Sequence, residues 1–142
     1  MMVVLDTDHL SVLERGEQPG SNALRARLAP LAPDEVVTTM ISYEEQMRGW
    51  LAYLGGVRSV GQQTHAYYQL HQHLEHYRQI PVLTFDEAAA VVFQRLRHLR
   101  LGIGTMDVKI ASIVLSRGAM LLSRNVMDFR HVPGLQVEDW TL

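Results

Sequence analysis

Cysteine is absent from the chain, which excludes a disulfide framework and any thiolate metal site. That suits a reducing cytoplasm. Proline, with 5 residues, and glycine, with 10, stand at ordinary levels, and no polar low-complexity tract or linker interrupts the sequence. The 142 residues therefore read as one domain, 1–142, long enough to bury a real core. No apolar run approaches a membrane span, and the first residues lack the basic segment and cleavage site of a secretory signal. A soluble cytoplasmic protein with no membrane partner is expected. A large excess of charge of one sign is missing too: the formal net charge is −2, so binding nucleic acid needs a local patch rather than an overall field.

What is there begins at once. Val3, Val4 and Leu5 form an unbroken apolar run with two β-branched residues, the pattern of a strand covered on both faces and hence central in a sheet. It ends abruptly in Asp6, Thr7, Asp8 and His9. Helical spacing follows from His9 to Arg15, then a turn over Gln18 to Ser21 and a helix from Asn22 to Leu31 capped by Ser21 or Asn22. Val36 to Met40 is a second buried strand, and Ser42 opens a helix whose stripe of Tyr43, Met47, Trp50, Leu51 and Leu54 stops at Gly55-Gly56. An amphipathic helix spans roughly Val60 to Gln79 by its pattern. Further on come a strand at Ile80 to Thr84, a helix from Asp86-Glu87 to Arg100, a helix from Asp107 to Arg117, a strand at Met120 to Ser123, a polar loop and a last strand near Val137. Strands separated by helices throughout give an α/β fold of three layers, α/β/α, around a mainly parallel sheet.

Four acidic positions fall at strand ends or at helix starts facing them: Asp6, Glu44 or Glu45, Asp107, and Asp128 in the loop after Met120-Leu121-Leu122-Ser123. In a parallel sheet all four can lie on one rim, where open α/β folds bind ligands. Converging carboxylates repel one another unless a cation lies between them, so the group points to a divalent metal. Oxygen donors favour Mg²⁺ or Mn²⁺ over zinc. Such a centre serves hydrolysis of a phosphodiester by metal-activated water.

Each acid also has an ordinary structural use. Asp6 suits a strand-end turn, and Ser42 with Glu45 forms a capping box. Asp107 suits a first helical turn behind a Thr105 cap. Asp128 and Asn125 suit a loop, and Asp8 suits the N-cap of the first helix or a supporting role, with the Thr7 hydroxyl bonding nearby. Periodicity sets Glu44 beside the apolar stripe and Glu45 on the far face. His65, His71, His73 and His76 lie on one helix without a zinc-binding pattern and read as a partly solvated face. Arg95, Arg97, Arg100, Lys109, Arg117, Arg124 and Arg130 make the second half locally basic, a path for RNA phosphates or simply helix-end charges.

The stretches VVLDTDHLS, ISYEEQMRG, GTMDVKIAS and LLSRNVMDF together resemble, in order and spacing over nearly the whole chain, the four motifs of PIN-domain ribonucleases of the VapC toxin type. The resemblance implies a PIN-like fold and a Mg²⁺- or Mn²⁺-dependent endoribonuclease that cleaves RNA, is held by a cognate antitoxin and forms a homodimer. It places the motif acids on Asp6, on Glu45 four residues before Gly49, on Asp107 before Ile110-Ala111, and on Asp128. Ser123 and Asn125 fall in its fourth region as supporting residues, beside Thr7 and Asp8. Gln46 departs from the pattern, which has an apolar residue there. Two other readings compete. The opening also resembles that of haloacid-dehalogenase-type phosphatases, with Asp6 as covalent nucleophile, although Leu10 and the stretch Asn125 to Asp128 fit that family poorly. A non-catalytic partner-binding module is the third.

Overall fold

A computed structural model describes residues 1–16 and 19–142; of the turn expected over Gln18 to Ser21, Gln18 lies outside them. Among the described residues, five strands, β1 (Val3–Leu5), β2 (Val36–Thr39), β3 (Val82–Leu83), β4 (Met120–Leu122) and β5 (Gln136–Glu138), form one sheet in the order β3-β2-β1-β4-β5. Every pairing is parallel. The apolar opening is thus the middle strand, and Val3, Val4 and Leu5 are all 0% exposed. Burying each side chain contributes about 1.5–3 kcal/mol.

The period of two along the strands divides the core. Val4, Val37, Leu83 and Leu121 face α5 (Glu87–Arg97), α6 (Thr105–Ser116) and α7 (Val126–Phe129), packing on Leu96, Ile110, Ile113 and Phe129. Val3, Leu5 and Leu122 face α1 (Thr7–Arg15), α2 (Ser21–Leu28) and α4 (Val60–Arg78), packing on Leu10, Val12, Leu24 and Tyr77. Helix α3 (Met40–Gly56) leaves β2 and touches both layers, through Ile41 on one side and Tyr43 on the other. The three-layer α/β expectation holds.

Helix ends differ from the sequence reading in ways that matter for the site. Asp6, not Asp8, caps α1, accepting from the Thr7 amide at 2.8 Å. The Thr7 hydroxyl, expected to bond nearby, is buried without a partner. Thr39 caps α3 by accepting from the Ser42 amide at 3.1 Å, so the Ser42–Glu45 capping box does not form. Gly104 and Gly20 stand at the N-caps of α6 and α2 where Thr105 and Ser21 or Asn22 were expected. Helix α2 stops at Leu28: Ala29 still has helical backbone and donates to the Arg25 carbonyl, but Pro30 has no amide to continue the ladder. Gly16 ends α1 at φ 70, the left-handed conformation glycine adopts without strain.

Candidate active site

The chain order reverses beside β1: β2 and β3 lie on one side, β4 and β5 on the other. The crevice at such a switch point, outside the strands' carboxyl ends, is where α/β sheets bind ligands. Asp6 follows β1 and Ser123 follows β4 at this point, and the Asp6 amide donates to the Leu122 carbonyl at 2.9 Å. The helices α1 and α6 both begin here, so their positive ends face the acids.

Asp6 is 8% exposed. Its Oδ1 accepts from the Thr7 amide and its Oδ2 from the Ser123 hydroxyl at 2.7 Å. The Ser123 oxygen in turn accepts from the Asn125 amide at 3.0 Å. Burial raises the Asp6 carboxyl to about 6; the Ser123 hydrogen bond restrains the rise, and the charges of Asp8 and Asp107 add to it.

Glu45 comes from the second turn of α3. Burial raises its carboxyl to about 7, with Asp6 and Asp107 as the next contributors. Its Oε1 is buried and has no hydrogen-bond partner. Glu44 turns the other way and pairs with Arg48 at 2.6 Å on the exposed side. Of the two candidates, Glu45 is the one that meets the other acids. Asp107, in the first turn of α6, is raised by burial and then by Asp128 and Asp8.

Asp128 sits in α7 rather than in a loop, because the polar stretch after β4 closes into one helical turn. It accepts from the Asn125 side chain at 3.1 Å and reaches the group through Asp107. Asp8 accepts from the Arg124 amide at 3.0 Å and also from the ring of His9 at 2.8 Å. The structure therefore brings Asp6, Glu45 and Asp107 together, with Asp8 beside them and Asp128 at the outer edge.

Two participants lay outside the sequence reading. His9 is fully buried; its Nε2 accepts from the Trp140 amide at 3.0 Å, which leaves the proton on Nδ1 to donate to Asp8. A histidine directly after an acidic pair was the available signal. Gln46, marked only as a departure from the motif, accepts from the Tyr77 hydroxyl at 2.7 Å. Arg124 is removed from the basic path, since its side chain donates to Thr141 and to the Pro19 carbonyl. His73 is not solvated but 4% exposed, stacked on Tyr43 with ring centroids 5.0 Å apart.

The donor set fits a hard divalent cation: carboxylate oxygens only, mutual repulsion that a cation would relieve, and one buried oxygen on Glu45 with nothing to accept from. The acids face one another across the crevice without closing on a point. Among the described residues, no three Asp, Glu or His side chains already stand as a cluster able to hold an ion. Among those residues, too, no helix is long and apolar enough to cross a membrane.

No protein-family model matches the chain. The Ribonuclease VapC1 of Rickettsia felis is 28% identical to it over 146 aligned residues, 96% of this chain and 95% of that protein. The tRNA(fMet)-specific endonuclease VapC of Salmonella typhimurium is 34% identical over 65 residues, 43% of this chain, and the match spans only about half (49%) of that protein. Among solved structures, VapBC-1 from nontypeable Haemophilus influenzae superposes with a TM-score of 0.72 at 26% identity, covering 100% of both chains. In fold, and in sequence over nearly its whole length, this chain is similar to the VapC-type ribonucleases, with its acids gathered at the sheet's switch point.

Proposed function

We propose that the chain is a Mg²⁺- or Mn²⁺-dependent endoribonuclease working in the cytoplasm, the toxin of a toxin-antitoxin pair. One observation carries this reading: the buried carboxyl of Asp6 at the end of β1 and the half-buried carboxyls of Glu45 on α3 and Asp107 on α6 lie within electrostatic reach, Asp107 acting on Asp6 and both acting on Glu45. Asp6, Glu45 and Asp107 would hold the cation, with Asp128 at the edge of the same centre. The cation, when bound, would neutralise charge on the phosphoryl oxygens and lower the pKa of water to within reach of neutral pH.

The chain's own groups have separable tasks. Ser123 fixes the Asp6 carboxylate in one orientation and favours its charged form. Glu45 offers an oxygen with no hydrogen-bond partner, and a cation there would favour the charged form that burial opposes. Asp8 is held by the Arg124 amide and His9, and so adds negative charge at a fixed place without being free to rotate. Both oxygens of Asp6 are engaged by Thr7 and Ser123, which supports a fixed anion over the covalent nucleophile of a phosphatase.

The partners proposed are single-stranded RNA, a cognate antitoxin and a second copy of the chain. The test is cleavage of RNA by the purified chain in Mn²⁺, with 5′ ends mapped in total RNA after expression of wild type and of Asp6→Asn. Discrete ends that vanish in Asp6→Asn and in EDTA support the proposal. Ends that persist in both, or a purified chain that is inert in Mn²⁺, would reject it, and inertness would favour the non-catalytic partner-binding module.

A further inference from the structure

Beside the acidic centre, helices α1, α3 and α4 enclose a groove of about 750 Å³. Each helix presents one face to it, at spacings of three and four residues: Thr7, Ser11 and Glu14; Gln46, Gly49, Trp50 and Tyr53; Gln69, Gln72, His73 and His76. The groove starts at Thr7 and Gln46, the chain neighbours of Asp6 and Glu45. We infer that it is a nucleobase subsite, which receives an unpaired base of the RNA strand next to the phosphodiester at the acidic centre. The inference rests on the nuclease reading above.

The lining favours a base. Among the described residues no Leu, Ile, Val or Met faces the groove; its rings are Trp50, Tyr53 and Tyr68, and the rest is amide, imidazole and hydroxyl, with the Arg15 guanidinium and the Glu14 carboxylate at the α1 side. Flat rings stack on bases, and amides and imidazoles read their edges. A peptide helix, by contrast, docks aliphatic anchors into an aliphatic groove. The volume lies inside the roughly 300–1,000 Å³ usual for ligand pockets.

Unmet hydrogen bonds point the same way. Both ring nitrogens of His73 are buried without a partner, although the ring itself is packed against Tyr43 and Tyr77. Burial lowers its pKa, so the ring is neutral at pH 7 and offers one donor and one acceptor. The Thr7 hydroxyl on the same lining is also without a hydrogen-bond partner, and Glu14 Oε1 has only the His76 ring 3.6 Å away. Buried polar groups are nearly always satisfied, so a set of orphans around one groove marks a place that a polar ligand completes.

Gly49 adds an independent sign. It lies inside α3, where glycine disfavours the helix, yet a Cβ there would meet nothing within 4 Å. Packing does not require the glycine. Its effect is to leave the groove open.

The test is titration of the purified chain in EDTA with the hexanucleotides rA6, rC6 and rU6, read by tryptophan fluorescence and anisotropy. One homopolymer should bind at least about fivefold tighter than another, and His73→Phe, which keeps the ring packing, should erase that preference. Gly49→Leu should raise the melting temperature while weakening binding about tenfold or more, a pair of effects that a purely structural role does not produce. Equal binding of all three, or a preference untouched by His73→Phe, overturns the subsite. So does a groove that ignores RNA while the α4 amides become protected from hydrogen exchange by an antitoxin, which would assign it to protein. Base-selective binding without cleavage in Mn²⁺ keeps the subsite and refutes the nuclease; cleavage without selectivity does the reverse.

Discussion

Ser123 donates its hydroxyl to Asp6 Oδ2 at 2.7 Å across 117 positions of sequence. The contact ties the ends of β1 and β4 together at the centre of the acidic group.

Removing it should change both stability and titration. Ser123→Ala leaves a buried carboxylate short of one hydrogen bond, a loss of about 1.5–3 kcal/mol. Since that bond favours the charged form, the Asp6 pKa should climb further above 6. Urea denaturation reads the first effect, and the acid limb of the activity profile, moved to higher pH, reads the second.

Acid titration of the metal-free chain should run opposite to that of most proteins. Asp6 and Glu45 have folded pKa values above their unfolded ones, about 6 and about 7 against 3.8 and 4.5. The folded state therefore binds more protons between these values, and stability falls as pH rises through them. In EDTA the melting temperature should drop from about pH 4 to about pH 7 and level off above, and Glu45→Gln should flatten the upper part of that drop. At pH 8, Mn²⁺ should raise the melting temperature of wild type more than that of Glu45→Gln, because only a cation that binds the folded form stabilises it.

Gln46 stands where the family motif has an apolar residue, and the structure shows its use. Gln46→Leu strands the Tyr77 hydroxyl, whose deprotonation burial already opposes, and should destabilise the fold by about 1–3 kcal/mol. Adding Tyr77→Phe should return most of that loss, a coupling readable from a double-mutant cycle in urea.

His9 joins the first helix to the last residues. His9→Phe keeps the bulk but leaves the Trp140 amide and Asp8 without their partner, with a loss of about 2 to 3 kcal/mol. Limited proteolysis should then cut near Trp140 before the rest of the chain.

The sheet and its central strand were legible in the sequence because both faces of β1 are covered, so Val3, Val4 and Leu5 run without a polar break. The position of Asp6 at a crevice followed from that alone. Glu45 was harder. Its place on the far side of the apolar stripe argued against it, but the stripe packs on α4 while the second turn of α3 looks along the crevice. Periodicity reports one packing partner, and α3 touches α1, α4 and α6. Asp128 was found by its spacing, yet its helix α7 was not, since four residues give no period to detect. His73 escaped for a similar reason. Its neighbours Gln72 and Leu74 look mixed in sequence, and only the crossing of α3 over α4 covers the ring with Tyr43.

The position of β1 also sets a timetable. Its partner β2 is complete by residue 39, but β4 and the Ser123 hydroxyl emerge more than eighty residues later. At synthesis rates of about 5–20 residues per second, the first strand waits several seconds for its second neighbour. Asp6 stays without Asp107 and without its Ser123 partner until those residues have left the ribosome in turn. A centre divided in this way along its own chain is assembled long after its first strand has been made.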